Sequence, residues 1–448
     1  MAITIRTHLG SHEITLLGKG GTGEVYRARD TKLNHSSLCL MCLFVAIYQA
    51  GYPHALPLKR RKRMMRKNII WVFVPLFLVS ITSQSSAQAR GQAQGRGQAV
   101  AAPGRPAPGN MRGDYTFIPK ADLEVLMGPT RGDRPARVVG IGGANLGAYI
   151  LHYPAMKSAT LNSFYHSEIS ELYYVIRGEG TALLGGELEN PRWSDPNSTG
   201  TKEVTGPTVN GTMKGYTTQK WSAGDVIIVP AGVPHMIGYE VTVPNDILRV
   251  VFDPNKSIKA VPDREASMAR LHAEGQQPQA QSPPVPGKPA PPNIPGTTFA
   301  FIPKADTEAL MKGNIADTPA RVVTISNNGH FGAFVLHMEP RKPAPGPVTS
   351  FYHSEIAELY YVVRGSGTAM MGGELESATW DDSNSASIRQ VRGPSVNGTM
   401  KNAQAQKFTA GDIFIVTPGV PHSVTYQVDE RTDIIRAVID PKGTLELK

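Results

Sequence analysis

Two stretches of this chain carry side chains able to do chemistry at the same spacing: FYHSEISELYYVIRGEGT at 164–181 and FYHSEIAELYYVVRGSGT at 351–368. A histidine, two carboxylates and a pair of tyrosines within one short stretch could form a metal site, or could be the turn and strand of a repeated scaffold. The histidines bear on the choice. Of the eight in residues 90–448, six fall on three repeat-paired positions, 152 with 337, 166 with 353 and 235 with 422, whereas His272 and His330 have no counterpart. Other residues persist between the copies as well, among them FIPKAD at 117–122 and 301–306, so pairing alone does not separate a ligand from a hydrogen-bonded core histidine.

The elements that would position these residues repeat with them. YTFIPKADLEVLM (115–127) answers FAFIPKADTEALM (299–311), VNGTMK recurs at 209–214 and 396–401, and AGDVIIVPAGVPH (223–235) answers AGDIFIVTPGVPH (410–422). The period is too long for a solenoid, so one domain is duplicated, over 114–258 and 298–448. Runs such as GAYILHY, ELYYVIRG, DVIIVP and DILRVVFD alternate with Gly, Pro, Asn and Asp, which predicts an all-β sandwich or barrel in each half. KADLEVLM is the exception with helical character.

At this point the residues resemble a known family. Each half is similar to the cupin superfamily, whose two motifs run G-x5-H-x-H-x3-4-E-x6-G and G-x5-P-x-G-x2-H-x3-N. His166, Glu171 and Gly178, then Gly224, Pro230, Gly232 and His235, fall on those positions in the first half. His353, Glu358 and Gly365, then Gly411, Gly419 and His422, do so in the second. The first histidine of the H-x-H pair is replaced by Phe164 and Phe351, the closing asparagine by Tyr239 and Tyr426, and the second motif's proline by Thr417 in the second half.

The resemblance implies two tandem jelly-roll barrels in which the motifs converge. It implies a mononuclear site of His166, Glu171 and His235, and another of His353, Glu358 and His422, for a divalent transition metal: iron, manganese, zinc or nickel. Alternation from Glu171 turns Tyr173 inward, and Tyr360 in the second half; with Glu168 and Glu355 these are candidates for proton transfer. His152 and His337, at strand ends, are weaker candidates as ligands. As an enzyme the chain would be similar to bicupin dioxygenases or decarboxylases acting on a small molecule. The alternative is a binding module for a sugar-like ligand without turnover. Two barrels in one chain suit a monomer or a homodimer. Between the motifs, each half inserts a long polar segment containing Trp193 or Trp380 and VNGTMK, expected to be a decorated loop or a lid over the barrel mouth.

The 448-residue chain has a net charge of +9, but residues 1–89 hold 12 basic and 3 acidic residues, which accounts for all of that excess. The repeats therefore carry no basic signal for nucleic acid. Both cysteines, Cys39 and Cys42, lie in the same stretch, so the repeats can form neither a disulfide nor a thiolate metal site. Residues 64–89 have a basic start, an apolar run of 13 residues from Ile69 to Ile81, and small residues ending at Ala89. That order predicts a signal peptide, and the run is short of the roughly 20 residues a spanning helix needs. A periplasmic or extracellular protein with no stable membrane span follows if translation starts near Met64.

Upstream, Gly18, Gly20, Gly23 and Val25 resemble the glycine loop of a bacterial serine/threonine protein kinase. Tyr48 stands where that family's lysine would be, and neither an HRD nor a DFG triplet occurs, so residues 1–63 read as a remnant or an upstream extension. The stretch 90–113 is expected to be a flexible tether and 259–297, rich in Pro and Gln, an extended linker.

Overall fold

The computed structural model describes residues 6–9, 12–20, 23–30, 36–37, 105–111, 113–275, 289–313 and 315–447. The chain divides into two units, Met1–Gln92 and Ala93–Lys448. In the first, the strands Arg6–Leu9, His12–Gly20, Gly23–Asp30 and Ser36–Ser37 pair in that order as an antiparallel sheet. The glycines of the kinase-like loop lie in its second hairpin, where Gly20 pairs with Gly23. The signal-peptide segment 64–89 lies outside the described residues, as do 90–104 of the tether and 276–288 of the linker. No helix among the described residues is long and apolar enough to cross a membrane.

The second unit is two jelly-roll domains, each built from two antiparallel sheets. In the first half one sheet holds Gly132–Ile141, Ala144–Tyr153 and Val226–Val229; the other holds Glu187–Trp193, Thr208–Lys214, Asn162–His166 and Thr217–Ser222. Two long strands, Ser170–Leu184 and His235–Asp253, bend from one sheet into the other. The bend explains a motif glycine. Gly178 has φ +91°, and a Cβ there would lie 2.6 Å from the Pro244 carbonyl oxygen; Gly365, at φ +92°, stands at the break between Ala357–Arg364 and Ser366–Met371 in the second half. Only glycine accepts that conformation beside a crossing strand.

Alternation in the first sheet sorts side chains between two interiors. Tyr173, Val175 and Ile227 face the cavity between the sheets of the first half. Leu172, Tyr174, Ile228 and Val250 face the other way, into a core shared with Leu359, Tyr361, Ile415 and Ala437 of the second half. Tyr174 and Tyr361 meet there with ring centroids 5.4 Å apart. Burial on both faces is why these strands read as continuous apolar runs.

The halves also exchange their first strands. Tyr115–Ile118 pairs with Ile413–Val416 of the second half, and Ala300–Ile302 pairs with Val226–Val229 of the first. Each exchanged strand leads into a short helix, Lys120–Leu126 or Lys304–Met311, entered through Pro119 or Pro303. The Lys120 amide donates to Asp412 Oδ1 (2.7 Å) and the Lys304 amide to Asp225 Oδ1 (2.6 Å), each in the opposite half. FIPKAD and AGD thus persist in both copies because they meet across the exchange.

Parts of the expected tether and linker are tied down with these strands. Residues 105–111 run beside the second half, where Ala107 donates to the Ala378 carbonyl and Gly109 accepts from Leu375. Along the first half, Pro292 accepts from Leu188 and Ile294 donates to Gly232. The linker also contains a helix, Arg264–Gly275. Composition alone misses this, since backbone groups pair regardless of side-chain polarity.

Candidate metal centres

His166 ends the strand Asn162–His166, Glu171 is the second residue of Ser170–Leu184, and His235 opens His235–Asp253. Pairing brings Phe164 opposite His235 and His166 opposite Thr208, so residues distant in sequence converge. One ligand atom from each of the three lies within 4.8 Å of the others, and the same holds for His353, Glu358 and His422. His166 Nε2 is 3.3 Å from Glu171 Oε1, and His235 Nε2 is 3.1 Å from Glu171 Oε2. The second half gives 3.2 Å and 3.1 Å for the same pairs.

The far side of each ring decides what these short distances mean. His235 Nδ1 faces the Val233 carbonyl oxygen at 2.9 Å, and His422 Nδ1 faces that of Val420 at 2.8 Å. A carbonyl only accepts, so Nδ1 carries the hydrogen. His166 Nδ1 meets the Thr208 hydroxyl at 3.0 Å, and that hydroxyl donates to the Gly206 carbonyl (2.9 Å); it therefore accepts from the ring. Ser395 does the same for His353, at 2.9 Å and 2.9 Å. In the neutral ring every Nε2 lone pair then points at a carboxylate oxygen. His353 Nε2 is buried with no hydrogen-bond partner. Lone pairs converging on a buried carboxylate call for a cation among them, and the donor set fits a divalent transition metal.

Each carboxylate is held from behind by a buried arginine. Arg249 Nε donates to Glu171 Oε1, while its other nitrogens reach Asp133 Oδ2 (2.8 Å) and the Val204 carbonyl (3.2 Å). Arg436 donates to Glu358 Oε1 and to the Val391 carbonyl (3.0 Å), and pairs with Asp317 (3.2 Å). Burial alone would raise the Glu171 pKa, but Arg249, then His166 and His235, bring it well below the usual range. Glu358 follows, with His353 and then Arg436 outweighing burial. Both glutamates are anionic at any pH near neutral.

Tyr173 and Tyr360 join the centres. Tyr173 donates to Glu171 Oε2 (2.7 Å) and lies 3.4 Å from His235 Nε2; Tyr360 donates to Glu358 Oε2 (2.8 Å) and lies 3.4 Å from His422 Nε2. Burial, then the adjacent glutamate, pushes both phenols well above their ordinary pKa, so they act as hydrogen donors rather than bases. Glu168 and Glu355 stand apart. Glu168 accepts from Asn255 (2.8 Å) and Glu355 pairs with Lys442 (2.7 Å). His152 and His337 form separate pairs, with Asp246 (2.8 Å) and Asp433 (2.6 Å). Phe164 and Phe351, at the position where the cupin motif has a further histidine, pack against both histidine rings of their triads at 4.9–5.1 Å.

The inserted segment is mostly not a lid. Glu187–Trp193, Thr208–Lys214 and Thr217–Ser222 are strands of the second sheet, and VNGTMK lies between two neighbouring strands there, where a Cβ on Gly211 would lie 2.7 Å from the Glu189 carbonyl oxygen. Its persistence is structural. Only residues 194–207, and 381–394 in the second half, loop away between strands.

The supporting groups Arg249, Arg436, Thr208 and Ser395 were not found by motif reading. The arginines left a signal, a charged residue inside the apolar runs DILRVVFD and DIIRAVID at the same place in both copies.

A scan against protein-family models and a search of curated proteins give no match to the chain. Solved structures similar to it include an oxalate decarboxylase studied for its substrate binding mode and reaction specificity switch, at 12% identity over 75% of this chain and 75% of that one, TM-score 0.35. A Lactobacillus farciminis oxalate decarboxylase in complex with formate gives 13% over 70% of this chain and 88% of that one, TM-score 0.34. A Bacillus subtilis oxalate decarboxylase with Mn(II) centres gives 11% over 73% of each, TM-score 0.33. At these values the likeness carries no argument about the chemistry at His166 or His353.

Burial lowers the pKa of His166 and His353, with the glutamates opposing it. The sign follows: below about 6.5, the ordinary histidine pKa, the unfolded chain binds more protons than the folded one, so stability falls as pH drops. The lowered glutamate pKa values act in the same direction further down. Chelator-treated chain is expected to have a lower denaturation midpoint at pH 5.5 than at pH 7.5; an unchanged or higher midpoint would show that these histidines are not held neutral.

Proposed function

We propose that this chain is a bicupin metalloprotein whose two centres, His166, Glu171, His235 and His353, Glu358, His422, each hold one divalent transition metal and bind a small oxygenated anion as substrate. The observation that carries the reading is the convergence of imidazole Nε2 lone pairs on a buried carboxylate, each ring fixed through its Nδ1. With phenylalanine in place of a further histidine, three protein ligands leave coordination positions open.

A bound ion would supply Lewis acidity toward an oxygen donor at such a position. The chain's own groups set what enters. Glu171 is offset by Arg249, so the ion's charge leaves the pocket net positive whether or not Asp133 is ionised, which favours an anion. Tyr173 offers a hydrogen beside Glu171, and Phe164 supplies an apolar wall against both histidine rings. Decarboxylation or oxygenation of a small carboxylate suits such a pocket.

The burial of the ligands, with His166 2%, Glu171 0% and His235 1% exposed, favours a second reading, a closed metal that only steadies the barrel. Water-proton relaxation of the Mn(II)-loaded chain separates the two. Enhanced relaxation that falls on adding a small carboxylate supports open positions and anion binding. Weak relaxation of outer-sphere size that a small carboxylate does not change overturns the substrate reading and leaves the closed one.

A further inference from the structure

The two halves agree in their triads and differ in what stands over the phenylalanine. In the second half a single π-type turn, Ile388–Arg392, ends with the Arg392 guanidinium carbon 4.7 Å from the centroid of the Phe351 ring. That ring is itself 5.1 Å from His353 and 5.0 Å from His422, so the arginine and both histidines pack on one aromatic ring. In the first half the matching turn, Thr201–Thr205, ends in a threonine whose hydroxyl engages the Gly200 and Gly206 carbonyls. Among the described residues no guanidinium stands over Phe164.

Arg392 is incompletely satisfied. Its Nε donates to Ser387 Oγ (3.1 Å), but its approach to Asp381 Oδ2 is 3.8 Å, beyond hydrogen-bond length, and that oxygen has no hydrogen-bond partner. The side chain is 22% exposed. A permanently charged fork with donors to spare thus stands at the outer edge of one centre. The Asp381 position is Ser194 in the first half, so the loose ion pair is absent there as a whole.

We propose that Arg392 is a specificity-determining residue that makes the second centre the anion-selective one, taking a small carboxylate whose outer oxygens the guanidinium binds in place of Asp381. The inference rests on the metal reading and goes beyond it by distinguishing the halves. A charge-assisted bond of this kind corresponds to about a tenfold or greater gain in affinity.

The test is an acetate titration of the full chain loaded with Co(II), read by its visible absorption. His166→Ala leaves the second centre and His353→Ala the first. Acetate is expected to bind the former about tenfold more tightly. Adding Arg392→Thr should remove that advantage while leaving the titration with neutral imidazole unchanged, and Arg392→Lys should keep part of it. Should the alanine variants not fold, the two-centre chain serves: two acetate phases are expected to merge into one with Arg392→Thr. Equal acetate affinity with and without Arg392, in a chain that takes up cobalt, overturns this inference alone. A chain that takes up no cobalt overturns the metal reading with it.

Discussion

Reconstituted without oxygen with Fe(II), Mn(II), Ni(II) or Zn(II) and passed over a chelating resin, the chain is expected to retain two equivalents of metal by elemental mass spectrometry. His166→Ala and His353→Ala should each retain one. The reason is geometric. Each triad gathers its ligand atoms within 4.8 Å on buried strand positions, so binding requires no search for a conformation. Removing one imidazole leaves a histidine and a carboxylate already engaged by arginine, too few donors to hold the ion against the resin. Thr208→Val tests the orienting bond separately, since it spares every ligand and removes the hydroxyl that accepts from His166 and donates to the Gly206 carbonyl. Loss of such a partner typically costs about 10–100-fold in affinity. The loss should be confined to the first centre, and Ser395→Val should mirror it in the second. Two equivalents kept by both alanine variants, or none bound by the parent, would remove the basis of the proposed function.

Much of this site was legible because the residues that make it are constrained by several demands at once. His166, Glu171 and His235 had to keep their type for the site and their spacing for the strands, and Gly178 had to remain glycine for the bend between sheets. A motif records such positions well. The strand exchange left no comparable trace. Tyr115–Ile118 has the same alternation whether it pairs within its own repeat or with Ile413–Val416, because antiparallel pairing uses backbone groups that every residue carries. Arg249 escaped for a different reason: it occupies no position that a ligand motif records, and its place is dictated by the need to compensate a carboxylate on the neighbouring strand. VNGTMK misled in the opposite direction. Its persistence suggested a role at the mouth, whereas Gly211 and Gly398 persist because a neighbouring strand passes where a Cβ would be.

Arg249→Met and Arg436→Met are expected to destabilise the metal-free chain by about 3–5 kcal/mol each, the usual cost of leaving one partner of a buried ion pair uncompensated. Methionine keeps most of the volume, so the loss reports charge and hydrogen bonding more than packing. In the parent, Glu171 is 0% exposed and receives Arg249 on one oxygen and Tyr173 on the other. Without the guanidinium, burial and Asp133 act on Glu171 with only the histidines and Tyr173 opposing, and its pKa rises toward a protonated acid. A carboxyl with a raised folded-state pKa contributes stability at low pH and loses it as pH rises. The difference between variant and parent should therefore be smaller at pH 5 than at pH 7.5. Glu171→Gln introduced beside Arg249→Met should restore part of the loss, because it removes the orphaned charge, and metal should stabilise Arg249→Met more than it stabilises the parent, because the ion replaces the missing positive partner. A chemical-denaturation series on these variants, with and without metal, decides the matter. A loss below about 1 kcal/mol in Arg249→Met, the scale of an exposed ion pair, would mean that Glu171 is already neutral in the metal-free fold. The arginines would then be packing residues and not the counter-charges that keep the two carboxylates ready for a metal.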